Sequence, residues 1–296
     1  MDKARCNPSI EAYLPADMSG IKKLTDRPAL QRNRSRTHKD ALFLHQEAGD
    51  EIAERLDEVN KSFTSPALVG HITVAISAHF PDSVNVCDDE RLSLQPGKHD
   101  LVIHAFGLHW ADDPIGQMVQ SRLALQPDGL FIGVMFGGDT LNELRTALAE
   151  AEIQLTGGLS PRVVPMADLR DLGGLLQRAG FALPVADSRK ITVRYPNMTA
   201  LLHDLRGMGE ANALFERRKT VPSRALFKDT AALYAAHFSD PDGYLRATFE
   251  LVYLTGWSPS ENQQKPLQPG SAQSRLAEAL GVDETPTGDH VAPRKR

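Results

Sequence analysis

The chain has 296 residues, and 33 Lys and Arg against 38 Asp and Glu give a formal net charge of −5. Hydrophobic residues at 41% and charged residues at 24% are globular proportions, which excludes a wholly disordered chain. The acidic balance argues against a nucleic-acid partner, and no run approaches the ~20 apolar residues of a transmembrane helix.

The two cysteines, Cys6 and Cys87, are too few for a disulfide framework or a tetra-thiolate zinc site. The opening residues lead into no apolar core, and Asp2, Glu11 and Asp17 are unlike a transit peptide. A cytoplasmic, reducing location is therefore expected. Residues 22–39 carry seven Lys or Arg against one acid, Asp26, and read as the end of a solvated basic arm spanning 1–39, or as a patch for an acidic partner. Leu42, Ile52, Leu56 and Val59 then recur at helical spacing, which predicts an amphipathic helix over 40–60.

The run at 101–106 is nearly continuous in apolar residues, as a strand buried on both faces should be, and 130–136 is a second such run. Between them, Ile115, Met118, Val119 and Leu123 predict a helix over 114–125, and Gln126-Pro127-Asp128-Gly129 predicts a turn. Strand, helix, turn and strand make a right-handed βαβ unit. Thr140-Leu141-Asn142-Glu143 fits a capping box opening the next helix, with Leu141, Leu144 and Leu148 on one face. A further helix is predicted over 166–179, with Leu169, Leu172 and Leu176 inside and Gly180 as its stop. Alternation at 191–195 predicts a strand, and helices at 198–206 and 222–238 precede a last strand at 245–255. Residues 258–296 hold five of the 19 prolines and no aromatic residue, and read as a disordered tail.

These elements describe an α/β fold: a doubly wound, mostly parallel Rossmann-like sheet with a late antiparallel strand, spanning 40–257. In such sheets the ligand crevice lies beyond the C-terminal strand ends. His109 and Trp110 leave the first of those ends; His109 can serve as acid, base or ligand, and Trp110 offers a flat face and one donor. Gly137-Gly138-Asp139-Thr140 leaves the second, where two glycines permit close backbone approach and a helix start favours anions. Both segments also suit plain packing and turn roles. No H-E-x-x-H, Cys-x-x-Cys, G-x-S-x-G or P-loop pattern occurs, so metal-dependent hydrolysis and serine acyl transfer have no local support and no metal is expected.

Asp100-Leu-Val-Ile, Leu108-His-Trp110, Leu125-Gln-Pro-Asp-Gly-Leu-Phe-Ile-Gly133 and Met135-Phe-Gly-Gly-Asp-Thr-Leu-Asn-Glu-Leu-Arg145 together resemble the mitochondrial complex I assembly factor 5 family and its bacterial relatives. The resemblance extends through Gly157-Gly-Leu-Ser-Pro161, Val193-Arg-Tyr-Pro196 and Leu205-Arg-Gly-Met-Gly-Glu-Ala-Asn212, covering roughly 26–258. These are class I S-adenosylmethionine (SAM) methyltransferase-fold proteins, similar also to malonyl-carrier-protein methyltransferases. The resemblance implies SAM as cofactor, methyl transfer or arginine hydroxylation as activity, and a respiratory complex I subunit as partner.

By position it implies that His104, Ala105, Phe106 and Leu108 end the fourth strand against the methionine part of SAM. Asp88 and Asp89 stand in the acidic stretch near the adenine, and Gly70 in the glycine loop. His109 and Asp139 are the candidate bases; Trp110, Gly137, Gly138, Thr140, Tyr195, Arg206, Glu210 and Asn212 are the candidate substrate or partner residues. The match departs at the glycine loop. Only Gly70 remains there, and Gly70 to Asp88 spans 88 − 70 = 18 positions, too few for a helix and two strands. The alternative function is therefore a non-catalytic assembly protein on a methyltransferase fold that has lost SAM.

Overall fold

Strands covered on both faces must be apolar at successive positions, and the central strands are. The computed structural model describes residues 23–71, 73–263 and 281. In β3 (His99–Ala105) and β4 (Leu125–Phe136), Leu101, Ile103, Leu130, Ile132 and Val134 point into one core, while Val102, Phe131 and Met135 point into the other. The first core is closed by α2 (Phe43–Glu58), α4 (Asn142–Thr156), α6 (Met198–Gly207) and α7 (Arg224–Phe238), which contribute Leu44, Ile52, Leu144, Leu201 and Tyr234. The second is closed by α3 (Pro114–Ala124) and α5 (Leu169–Arg178) through Met118, Leu172 and Leu176.

With β1 (Pro66–Val69), β2 (Val84–Val86), β5 (Ala182–Tyr195) and β6 (Leu245–Trp257), the sheet has six strands in the order β2-β1-β3-β4-β6-β5. The pairs β1–β2, β1–β3 and β3–β4 are parallel. The late strand β6 runs antiparallel to both β4 and β5. Strand order reverses between β1 and β3, so the crevice of a doubly wound sheet falls at the C-terminal ends of those two strands.

The shortage between Gly70 and Asp88 is visible in the fold. Tight turns, with Ser77 N–H donating to Thr73 O (2.7 Å) and His79 N–H to Ile76 O (3.0 Å), stand where a crossover helix belongs. Among the described residues β2 is the outermost strand on that side.

Three local expectations are corrected. Thr140 and Glu143 do not form a capping box. Helix α4 starts after Leu141, whose φ is +54°. Thr140 Oγ1 instead accepts from Glu250 N–H (3.0 Å), and Glu143 accepts from Thr248 N–H (3.1 Å), because β6 passes close enough to take both side chains. The turn at 126–129 is a break inside β4 rather than a connection before it: His99 pairs with Leu125 but Leu101 with Leu130, and Asp128 has φ +60°. From Lys23 onward the basic stretch is folded, not a solvated arm. It forms α1 (Arg27–Arg34), capped by Asp26, whose side chain accepts from Ala29 N–H (3.1 Å). Asp26 N–H donates to Ala213 O (2.8 Å), which ties α1 to the loop after α6. Residues 1–22 lie outside the described residues. Residues 261–296 form a separate unit, so the expected tail lies almost wholly outside them as well.

Candidate functional site

Two neighbouring regions meet at the end of β3. The first is the switch point. Gly70 ends β1 with φ +152°, and a Cβ there would lie 2.5 Å from Ala105 O, so its backbone is pressed against β3. Phe106 follows β3 with φ +48°, a strained value for a residue with a side chain. Its ring packs between His45 (centroids 4.1 Å apart) and Phe136 (5.1 Å). Asp88, just beyond β2, is buried and held by α1. Arg34 Nη1 donates to both of its carboxylate oxygens (2.8 and 3.0 Å), and Arg34 Nη2 donates to Phe106 O (3.3 Å). Arg27 also donates to Asp88 O. Burial would raise the Asp88 carboxyl, but the charge and hydrogen bond of Arg34 overcome it and hold the group below its ordinary value.

His104 points from β3 beneath this pair. Its Nε2 lies 2.8 Å from Gln117 Oε1, which assigns the proton to Nε2, while Gln117 Nε2 donates to the Asp88 and Asp89 carbonyls (3.3 Å each). Complete burial pushes His104 and His45 down to about 4, so both rings are neutral at pH 7. Asp89 itself is exposed, and Ala105 and Leu108 are packed core residues. Of the residues expected around SAM, Asp88, His104 and Phe106 thus converge, but on Arg34.

The second region is a largely apolar chamber of about 260 Å³ beyond the ends of β3 and β4. Trp110, Phe136, Leu205, Phe249 and Thr140 line it together with Glu210, and Arg206 and Asn212 also border it. Glu210 is brought there by the loop after α6. Its Oε2 accepts from Trp110 Nε1 (2.8 Å) and lies 3.2 Å from His109 Nε2. Its Oε1 is buried without a partner, as is Nδ1 of His109. Burial raises the Glu210 carboxyl, yet His109, Arg34 and the Trp110 N–H together hold it below its usual range, so it is ionised at neutral pH. Asn212 holds the rim, donating to Pro161 O (2.9 Å) and accepting from Leu214 N–H (3.0 Å).

The other expected site residues stand apart. Asp139, a candidate base, is half exposed and ion-paired with Lys190 on β5, and it does not line the chamber. Gly137 lacks a side chain because a Cβ would meet Val252 Cγ2 at 2.6 Å, so that glycine serves packing against β6; Gly138 has no neighbour so close. Tyr195 belongs to the core at the end of β5. Residues missed from the sequence are Arg34, Arg27, His45 and Gln117. The available signal was Asp26-Arg27-Pro28, an N-cap with proline inside the first turn, which places Arg27 and Arg34 two helical turns apart on one face. Among the described residues no three His, Cys, Asp or Glu side chains converge as a metal would require.

A doubly wound sheet with a single antiparallel strand, β6, beside its edge strand and a crevice at its switch point defines a methyltransferase-type Rossmann-like protein. No family model matches the sequence. The chain is 34% identical over 262 residues to the arginine-hydroxylase NDUFAF5, mitochondrial, of Danio rerio, covering 80% of this chain and 81% of that protein. It is 38% identical to the Mus musculus protein of the same name, covering 79% and 68%. The chain belongs to this NDUFAF5 family. It is also 33% identical to a malonyl-[acyl-carrier protein] O-methyltransferase of Laribacter hongkongensis, covering 62% and 60%. Similar solved structures include a SAM-dependent methyltransferase of Thermotoga maritima, with TM-score 0.40 and 11% identity over 74% of this chain and 93% of that one. Another is phosphoethanolamine N-methyltransferase 2 of Haemonchus contortus in complex with SAM, with TM-score 0.39 and 14% identity over 72% and 53%. The family corrects the expectation of a cytoplasmic location: the relatives that align over most of their length are mitochondrial proteins.

Proposed function

We propose that the chain captures an arginine side chain of a partner polypeptide in the chamber at Glu210, in the service of protein modification or assembly. The observation that carries this is the free Oε1 of a buried, ionised carboxylate at the wall of a largely apolar cavity. A buried acceptor without a donor costs about 1–3 kcal/mol, and a guanidinium would satisfy it with the strong geometry of a charge-assisted pair. Trp110 and Phe136 supply flat faces against which a guanidinium or its methylene stem packs. The NDUFAF5 relatives are named arginine-hydroxylases, which supports an arginine as the group recognised. A respiratory complex I subunit, the partner class implied by the family resemblance, would present it. His109 is the residue placed to move a proton there, since it adjoins Glu210 and keeps one ring nitrogen free.

The test uses Nα-acetyl-arginine methylamide as probe, with the norleucine analogue as an uncharged control, titrated into the full chain by calorimetry. The arginine probe should bind in the millimolar range, and Glu210→Gln should weaken it at least about tenfold, the equivalent of about 1.4 kcal/mol. Equal binding of the two probes, or an unchanged Kd in a folded Glu210→Gln protein, would refute the reading.

A further inference from the structure

The switch point and the chamber differ in one respect: the chamber is open to a ligand, while the switch point already holds a cation. Arg34 is buried, and a guanidinium survives burial only if its charge is paired; here Nη1 and Nη2 are bonded, while Nε is buried without a partner. Asp88 follows β2 and Phe106 follows β3, and β1 lies between those strands. One side chain, bonded to both residues, therefore spans the crevice from edge to edge. On one side it uses the acid that stands in the stretch expected near the adenine. On the other it uses the backbone expected against the methionine part. Gly70 follows the paired Val69 and His104, so its backbone lies against Ala105 O at the mouth of the crevice. The residues present do not fit SAM with α1 in this place.

We propose that this chain has replaced the cofactor with its own Arg34: α1 and Asp88 form an internal ion pair that closes the SAM crevice, and the chamber at Glu210 works without bound SAM. The positive charge that SAM would bring as its sulfonium is supplied by the guanidinium. Asp88 is a structural counter-ion, not a ribose or adenine ligand.

Calorimetry and thermal melts of the full chain test this, with SAM and S-adenosylhomocysteine as probes up to about 1 mM, an affinity of only ~4 kcal/mol. No heat and no rise in Tm are expected with either. Arg34→Met alone leaves the buried Asp88 with only the longer ion pair to Arg27 (3.8 Å) and should lower Tm by roughly 5–15 °C. Arg34→Met combined with Asp88→Leu removes both charges and should recover most of that loss, because an apolar pair of similar volume is about neutral against a buried ion pair. Saturable SAM binding by the wild-type chain would overturn the proposal. So would a double variant that melts as low as Arg34→Met alone. Neither outcome touches arginine-probe binding at Glu210, so the two readings fail separately.

Discussion

Two fully buried, neutral histidines make the fold acid-labile in a window that no carboxylate explains. His45 and His104 both sit at about 4 against 6.5 for a free imidazole, with burial the main cause in each. Glu210 partly offsets it for His45 while His109 and Arg34 add to it; Asp88 and the Gln117 hydrogen bond offset it for His104. Because the folded values are depressed, the unfolded chain binds protons first as pH falls. Stability is full above pH 6.5 and is lost progressively down to pH 4. At pH 5 each group has lost about 1.5 × 1.36, or ~2 kcal/mol, so the pair loses ~4 kcal/mol of a total on the order of 5–15 kcal/mol. His71 is held down in the same direction, but it is exposed at the surface and adds little. Asp88 and Glu210 are held below their ordinary 3.8 and 4.5, so their contributions are lost only below about those values and stay outside the pH 7.5 to 5 range of the measurement. The measurement is urea unfolding between about pH 7.5 and pH 5, with the slope of unfolding free energy against pH read as protons. His45→Phe keeps a ring on Phe106 and should remove about one proton from that slope. A wild-type slope below one proton, or an unchanged slope in His45→Phe, would refute the argument.

Gly70→Ala places a Cβ against the Ala105 carbonyl, a backbone atom that cannot swing away, and should cost about 2–4 kcal/mol in urea unfolding. Gly157→Ala, at a positive φ but with open space around it, should cost only roughly 1–2 kcal/mol, and equal losses would mean that the β1–β3 approach is not close. Trp110→Phe keeps the chamber wall but removes the N–H that donates to the buried Glu210 carboxylate. A stability loss of about 1–3 kcal/mol at pH 7 is expected, and a loss under 0.5 kcal/mol would show that the bond is not formed.

The fold was legible where burial imposes a pattern. β3 and β4 are apolar at successive positions, and α5 and α6 repeat at 3.6, so element type and order follow from the residues alone. The errors share a physical cause, the override of a local signal by a distant strand or helix. Thr140-x-x-Glu143 is a sound capping signal, but β6, more than a hundred positions later, offers backbone donors to both side chains. The site was half legible. Trp110, Thr140, Arg206, Glu210 and Asn212, which the family resemblance ties together, border one chamber in the fold, while Gly137, Gly138 and Tyr195 from the same group do not. Arg34 was not, since a basic run on an acidic protein carries the marks of a solvated surface, and its partner Asp88 lies 54 positions away. Composition cannot distinguish a cation that faces water from one that faces a buried acid; only the register of α1 against β2 and β3 decides it.

That register has a consequence for the chamber. Arg34 lowers the carboxyl of Glu210 as well as that of Asp88, and it also disfavours the charged forms of His45 and His104. Arg34 thus adds to what burial already does to the two imidazoles, and joins His109 and the Trp110 N–H in keeping Glu210 ionised. Without Arg34, burial would push the Asp88 carboxyl up, whereas Glu210 would keep the lowering contacts of His109 and Trp110. His109 first, then Arg34 and the Trp110 N–H, favour the ionised Glu210, which is the state that a guanidinium requires of its partner.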